Sequence, residues 1–264
     1  MKKRSLTAIT VLAVLLLSLQ ACVVRRFSVG TLQTDSETVE LGDAESARVD
    51  INMAFGEIEI DGGASDLMEA EFVYNVDELE PRVDYSVSGS TGRLTVEHRD
   101  TEGIAIGDYD DVRSEWKLSF NDDTPIDLTM SIGATTADID LRGVNVTSFN
   151  MDVGAGEGDL WLGDSPLQSL DINMGVGSFT IDMTAGWETN LNAEISGGVG
   201  KLTMYLPSDV GVRVDVEMGV TTIGTKGLNQ DGNTYTNDAY GESDVTLRID
   251  LKGGVGDIQL EIRD

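Results

Sequence analysis

Covalent and acid–base chemistry rest on a few side-chain types, and this chain of 264 residues has one cysteine, Cys22, and one histidine, His98. A lone cysteine leaves no intramolecular disulfide and no cysteine-built metal site. No Gly-x-Ser-x-Gly turn occurs, so hydrolysis through an activated serine lacks its usual parts. Carboxylates are plentiful, 47 Asp and Glu against 18 Lys and Arg. In that crowd a pair at any required separation arises by chance, so none stands out as a glycosidase acid and base. Two stretches approach the G-G-x-G-x-D of calcium-binding nonapeptide repeats and miss it. Gly154–Asp159 lacks two of the glycines, Gly253–Asp257 has its aspartate one position early, and neither lies in a period of nine. Gly107–Asp111 (GDYDD) lacks the twelve-residue spacing and terminal Glu of an EF-hand loop. High charge would hold calcium loosely, so no cofactor and no built metal site is expected, and the chain is read as not an enzyme.

The one residue whose setting points to chemistry is Cys22. Lys2, Lys3 and Arg4 precede an apolar run from Ile9 to Leu17 that is too short to span a bilayer and reads as a secretory signal. The Leu19-Gln20-Ala21-Cys22 that ends it resembles the lipobox of bacterial lipoproteins. That resemblance implies cleavage after residue 21 and lipidation of Cys22, and a diacylglyceryl group would anchor the chain stably at about 0.8 kcal/mol per buried methylene. Loss of the leader's three basic residues takes the formal charge from −29 to −32. Such a surface repels nucleic acid and anionic lipid, and it suits a domain held just outside a membrane.

The elements that carry the rest obey a repeat centred on Leu170–Met183, LDINMGVGSFTIDM. Its glycine, Gly175, has equivalents at Gly133, Gly154, Gly198, Gly219 and Gly254, with Ala54 in an early copy, at spacings of 21, 21, 23, 21 and 35 from Gly133 onward. Counted from these anchors, positions −5, −3, −1 and +1 are apolar in 26 of 28 cases, where the overall 40% would give about 11, so the repeat is real. Columns two residues apart have the strand period, which predicts that all four face a core. Asn52, Ser131, Asp152, Asn173, Ser196 and Glu217 between them then face water. After +1 the parity flips, and +4, +6 and +8 become apolar, as in Phe179, Ile181 and Met183. The glycines at +2 (Gly156, Gly177, Gly200, Gly256) mark a bend at that phase change. G-x-G without a helix after it lacks the helix N-terminus of a phosphate site.

A 21-residue unit with two strands and no helical period buries nothing alone, so successive units must stack. The predicted fold is all-β: β-solenoid-like stacked rungs of about 21 residues with an N-terminal antiparallel β portion. The alternative is a β-sandwich of the same strands paired as hairpins. The chain divides into a leader (1–21), a patternless tether (22–40), an N-terminal β domain (41–125) and a C-terminal repeat domain (126–264). Within the N-terminal β domain, Val49–Ile60 is one clear rung, and strands either side of Ser88-Gly89-Ser90-Thr91-Gly92 read as a hairpin. His98 closes the second of these, before a polar, acidic stretch from Asp100 to Arg113.

The segment GDAESARVDINMAFGEIEIDGGASDLMEAEFVYNVDELEPRVDYSVSGSTGRLTVEHRD, Gly42 to Asp100, resembles the N-terminal domain of the bacterial toast-rack family. GVGSFTIDM and GGVGKLTMYLPSDVGVRV resemble the related C-terminal repeats, also similar to the C-terminal region of cell-wall-active antibiotic response proteins and to proteins provisionally described as adhesins. The resemblance implies a stacked β fold in an envelope protein and brings no catalytic residues with it.

Between Gly219 and Gly254 the chain carries fourteen residues beyond one period, including Tyr235 and Tyr240. Insertions in repeat proteins gather on one face, often the binding face, so this loop is the expected partner site, removable at little cost to the fold. The sequence thus describes a membrane-anchored extracytoplasmic lipoprotein, at the cell surface or in the periplasm, serving as a non-catalytic interaction or scaffold module, adhesin-like or tied to envelope stress. Its expected partners are membrane lipid through acylated Cys22 and an unidentified envelope protein or glycan. The alternative is a carbohydrate-active β-solenoid enzyme of the envelope.

Overall fold

The structure is a computed structural model and describes residues 29–99 and 111–263. Its strands are β1 (Gln33–Val39), β2 (Ser46–Gly62), β3 (Met68–Tyr74), β4 (Pro81–Ser88), β5 (Thr91–His98), β6 (Ser114–Phe120) and β7 (Ile126–Asp140). Next come β8 (Val146–Trp161), β9 (Ser169–Asp182), β10 (Leu191–Pro207), β11 (Gly211–Lys226), β12 (Asn229–Asp231), β13 (Thr234–Thr236) and β14 (Thr246–Arg263). Among the described residues there is no α-helix, only a 3-10 turn at Asp77–Leu79.

Each repeat is one long strand, and the connections show how it must lie. A straight strand the length of β7 would measure about 50 Å, yet the few residues from Asp140 to Val146 reach only about 20 Å. The strand therefore doubles back at its glycine, and its two halves face each other as two layers with the core between. Neighbouring rungs pair in parallel and one period apart: Ile132 with Val153, Val153 with Met174, Met174 with Gly197. This is the stacked-rung fold. Parallel pairing rules out the hairpin-built sandwich for the repeats, and antiparallel pairing is confined to the two ends of the stack.

Inside lie the −5, −3 and most −1 side chains of one layer against +4, +6 and +8 of the other, as with Leu128, Met130 and Ile132 against Ala137, Ile139 and Leu141. The corner needs glycine chiefly for space. A Cβ on Gly177 would overlap the carbonyl oxygen of Gly156 on the adjacent rung, and one on Gly156 that of Thr135. Gly56 needs it for conformation as well, at φ +133°.

Three expectations are corrected. Gln33–Val39, placed in the tether, is strand β1 on the outer edge of β3. Backbone pairing and the Tyr74 hydroxyl, which donates to the Asp35 carboxylate at 2.7 Å, seat it; only Val39 among its side chains is buried, so no apolar alternation advertises it. The final rungs do not stack in chain order: β14 inserts between β10 and β11, parallel to both. Every rung carries the same columns, so any rung fits against any other and the pattern is silent on order. The +1 column, expected inside, points outward on β7 through β10. Val176 is 56% exposed and Val199 54%, and Ala134 and Ala155 are exposed. The phase change falls between the anchor and +1, so both positions face solvent and inward parity resumes only at +2, where Thr135 is buried.

Candidate interaction surface at the glycine corner

Three columns face outward where each rung turns. The −2 column is polar, with Asn52, Ser131, Asp152, Asn173 and Ser196 on successive strands. The anchor column is Ala54, then Gly133, Gly154, Gly175 and Gly198, so it forms a floor nearly free of side chains. The +1 column is Phe55, Ala134, Ala155, Val176 and Val199 in register, an apolar ridge running up the stack. Floor and polar wall bound a shallow groove of about 730 Å³ that continues to Glu97 and His98. Beyond the ridge a second groove, of about 530 Å³, is lined by Glu57, Thr136, Glu157 and Ser178.

At the N-terminal end the corner is held by His98. β5 pairs with the first half of β2 and β6 with the second, both in parallel, so together they form a rung whose corner is replaced by the insertion between them. His98 takes the −1 place in that rung. Its Nδ1 accepts the Ala54 N–H at 3.1 Å, which leaves the proton on Nε2, 3.0 Å from the Ser114 hydroxyl oxygen. The ring packs edge-on against Trp116 at 4.8 Å. Burial pushes its pKa down to about 4, so the imidazole is neutral. A neutral, fully bonded histidine without an acid or base partner is a structural clamp.

The inserted segment is not the expected loop. β12 and β13 form a hairpin, and β13 pairs antiparallel with Arg213–Asp215 of β11, capping the far end of the stack. Tyr235 stands opposite Val214 and is only 5% exposed, its hydroxyl accepting from Gln230 Nε2 at 3.0 Å. It belongs to the core and offers a partner nothing. Tyr240 is half-buried and accepts a 3.5 Å hydrogen bond from Arg213 Nη1. The period count found the insertion but could not show that its alternation at Thr234–Thr236 continues the sheet.

Cys22 and residues 100–110 of the acidic stretch lie outside the described residues. On the second-layer outer face Glu59, Asp138 and Asp159 stack on adjacent strands, and burial and then these like charges hold Asp138 above the usual carboxylate range. Among the described residues no group of three or more His, Cys, Asp or Glu is placed to hold a metal ion. No helix among them is long and apolar enough to cross a membrane.

The architecture has a solved counterpart. A Clostridium sporogenes structure, provisionally named a cell adhesion protein, is 26% identical with a TM-score of 0.70, covering 88% of this chain and 100% of that one. A Bacteroides fragilis structure, provisionally named an adhesin, is a fainter likeness at 12% identity and a TM-score of 0.34, over 87% of this chain and 97% of the other. No curated protein matches the chain. The family model for the N-terminal domain of toast_rack matches residues 28–165 and again 147–205, more than half of the sequence, and the chain belongs to the toast_rack family.

Proposed function

We propose that this protein is a membrane-anchored extracytoplasmic binding module of the adhesion type, without catalytic activity, tethered by lipid on Cys22. The observation that carries the reading is the end-to-end likeness to the C. sporogenes protein, which spans that whole chain at 26% identity. The exposed apolar ridge beside a polar wall is the kind of surface such a module presents to a protein or glycan of the envelope. The anchor's position agrees with it. Gln33 opens β1 at one end of the stack, and the eleven-residue step from Cys22 spans at most about 38 Å, which keeps that end near the bilayer.

The enzymatic alternative finds no suitable carboxylate pair in the larger groove. The carboxylates lining the larger groove among the described residues are Asp152 and Glu97. They sit three strand spacings apart, about 14 Å, beyond the roughly 6.5–9.5 Å of an inverting glycosidase pair.

Fractionation of cells carrying Cys22→Ser tests the anchor. The parent chain should sediment with membranes and the variant should be released or remain unprocessed. A variant that is processed at the same site and stays membrane-bound would overturn the reading.

A further inference from the structure

We propose that the glycine corner is where two copies of this chain meet side by side, ridge into trough. The trough has a structural cause, since a Cβ on Gly175 or Gly198 would strike the backbone of the rung below. The ridge has none. Nothing in the stack requires an exposed valine at 176 or 199, where a polar β-branched residue would serve the strand as well.

Charge singles out the same strip. Across positions −1 to +2 of each rung, from β2 through β7, β8, β9 and β10, none of the 20 residues is charged. The composition, 25% charged, would put about five there. On a molecule of such net negative charge, this is where a second copy can approach most closely, with Asp152 on one margin of the strip and Glu57 and Glu157 on the other.

Shape then selects the symmetry. Ridge and trough lie side by side and parallel to the stack axis. A twofold axis parallel to the stack places each ridge in the other copy's trough, and it does so rung by rung: Ala134 over Gly133, Ala155 over Gly154, Val176 over Gly175, Val199 over Gly198. A twofold axis across the stack would set ridge against ridge. The arrangement that fits also keeps both N-terminal ends on the same side, as two copies tethered to one membrane require. This last point rests on the anchored-module reading. The five rungs from β2 through β10 give a strip about 19 Å long and about 14 Å wide. At roughly 270 Å² per copy it falls short of the ~800 Å² of a standard interface, so association is weak in solution and is raised by confinement on a membrane.

Thiol crosslinking in intact cells tests this, since an acylated Cys22 leaves an introduced cysteine as the only free thiol. With a short bismaleimide, Val176→Cys and Ala134→Cys should each give covalent homodimer, while Asn192→Cys, exposed at the distant end of the first layer, should not. Adding Val199→Asp to Val176→Cys should cut the dimer yield at least tenfold without changing the circular dichroism spectrum. The detergent-solubilised protein should associate more strongly as salt rises, because screening reduces repulsion between copies. Dimer from Val176→Cys without any from Ala134→Cys would mean an axis across the stack and overturn the arrangement. No dimer from either, or ridge variants that lose capture of a neutral glycan or a different protein instead, would overturn self-association. Crosslinking of the parent chain would mean that Cys22 is free, and would count against the anchor rather than the corner.

Discussion

Nε2 of His98 lies 3.0 Å from the hydroxyl of Ser114, across an insertion that separates them by sixteen positions in sequence. The contact closes the interrupted corner of the rung formed by β5 and β6, and the Ala54 N–H on Nδ1 ties that corner to β2. One neutral imidazole thus links the two half-rungs to each other and to β2.

The clamp gives stability a pH dependence. His98 titrates near 4 in the folded chain and near 6.5 unfolded, so the unfolded state takes up the proton first. Its contribution is fully present above pH 6.5 and is lost as pH falls toward 4, by about 3 kcal/mol in all. Protonation of the many carboxylates changes repulsion over the same range, so the informative quantity is a difference. Chemical denaturation should find the parent more stable than His98→Gln at pH 7, with the gap closing by pH 4. A gap independent of pH would exclude the buried neutral histidine.

The rung pattern was legible from residues two apart. Leu128, Met130 and Ile132 announce a buried strand face, and the jump to Ala137 and Ile139 announces the corner, because burial and strand parity are local. The assembly of the rungs was not legible in that way. Leu94-Val96-His98 and Trp116-Leu118-Phe120 match the inward columns on either side of a corner, but the intervening insertion hides that they make one rung. The place of β14 between β10 and β11 leaves no local mark, since interchangeable rungs pair equally well in any order. At the candidate surface, Val176 looked like a core residue because it is apolar and two residues from Met174. The extra outward residue that turns it to solvent is a property of the bend, not of the valine.

The corrected columns make distinct predictions along a single strand. Ile172 is fully buried, so Ile172→Asp places an unpaired carboxylate in the core and should cost about 4 kcal/mol or more, enough to prevent folding. Asn173→Asp and Val176→Asp face solvent and should each change stability by less than about 1 kcal/mol. Thermal unfolding of the three variants separates the cases. A loss at Val176→Asp as large as that at Ile172→Asp would return the +1 column to the core.

The hairpin that caps the far end should prove structural, against the reading of its sequence as a removable loop. Asn237 is buried and spends its side chain on the backbone of the last turn. Nδ2 donates to the carbonyls of Pro207 (3.1 Å) and Val210 (2.7 Å), and Oδ1 accepts the Val212 N–H at 2.9 Å. Asn237→Ala leaves three buried backbone groups unpaired and should cost about 2–4 kcal/mol. Tyr235→Phe, which loses only the Gln230 bond, should cost less than about 1 kcal/mol, whereas Tyr235→Ala opens a cavity at the end of the core and should cost about 3–5 kcal/mol. Deleting residues 226–238 should go further, since it exposes the first-layer edge of β11 at Arg213–Asp215 and invites strand pairing between copies. Urea titration with light scattering would track both effects. A deletion variant that unfolds at the parent's midpoint and stays dispersed would show that the cap contributes little and return the segment to the surface.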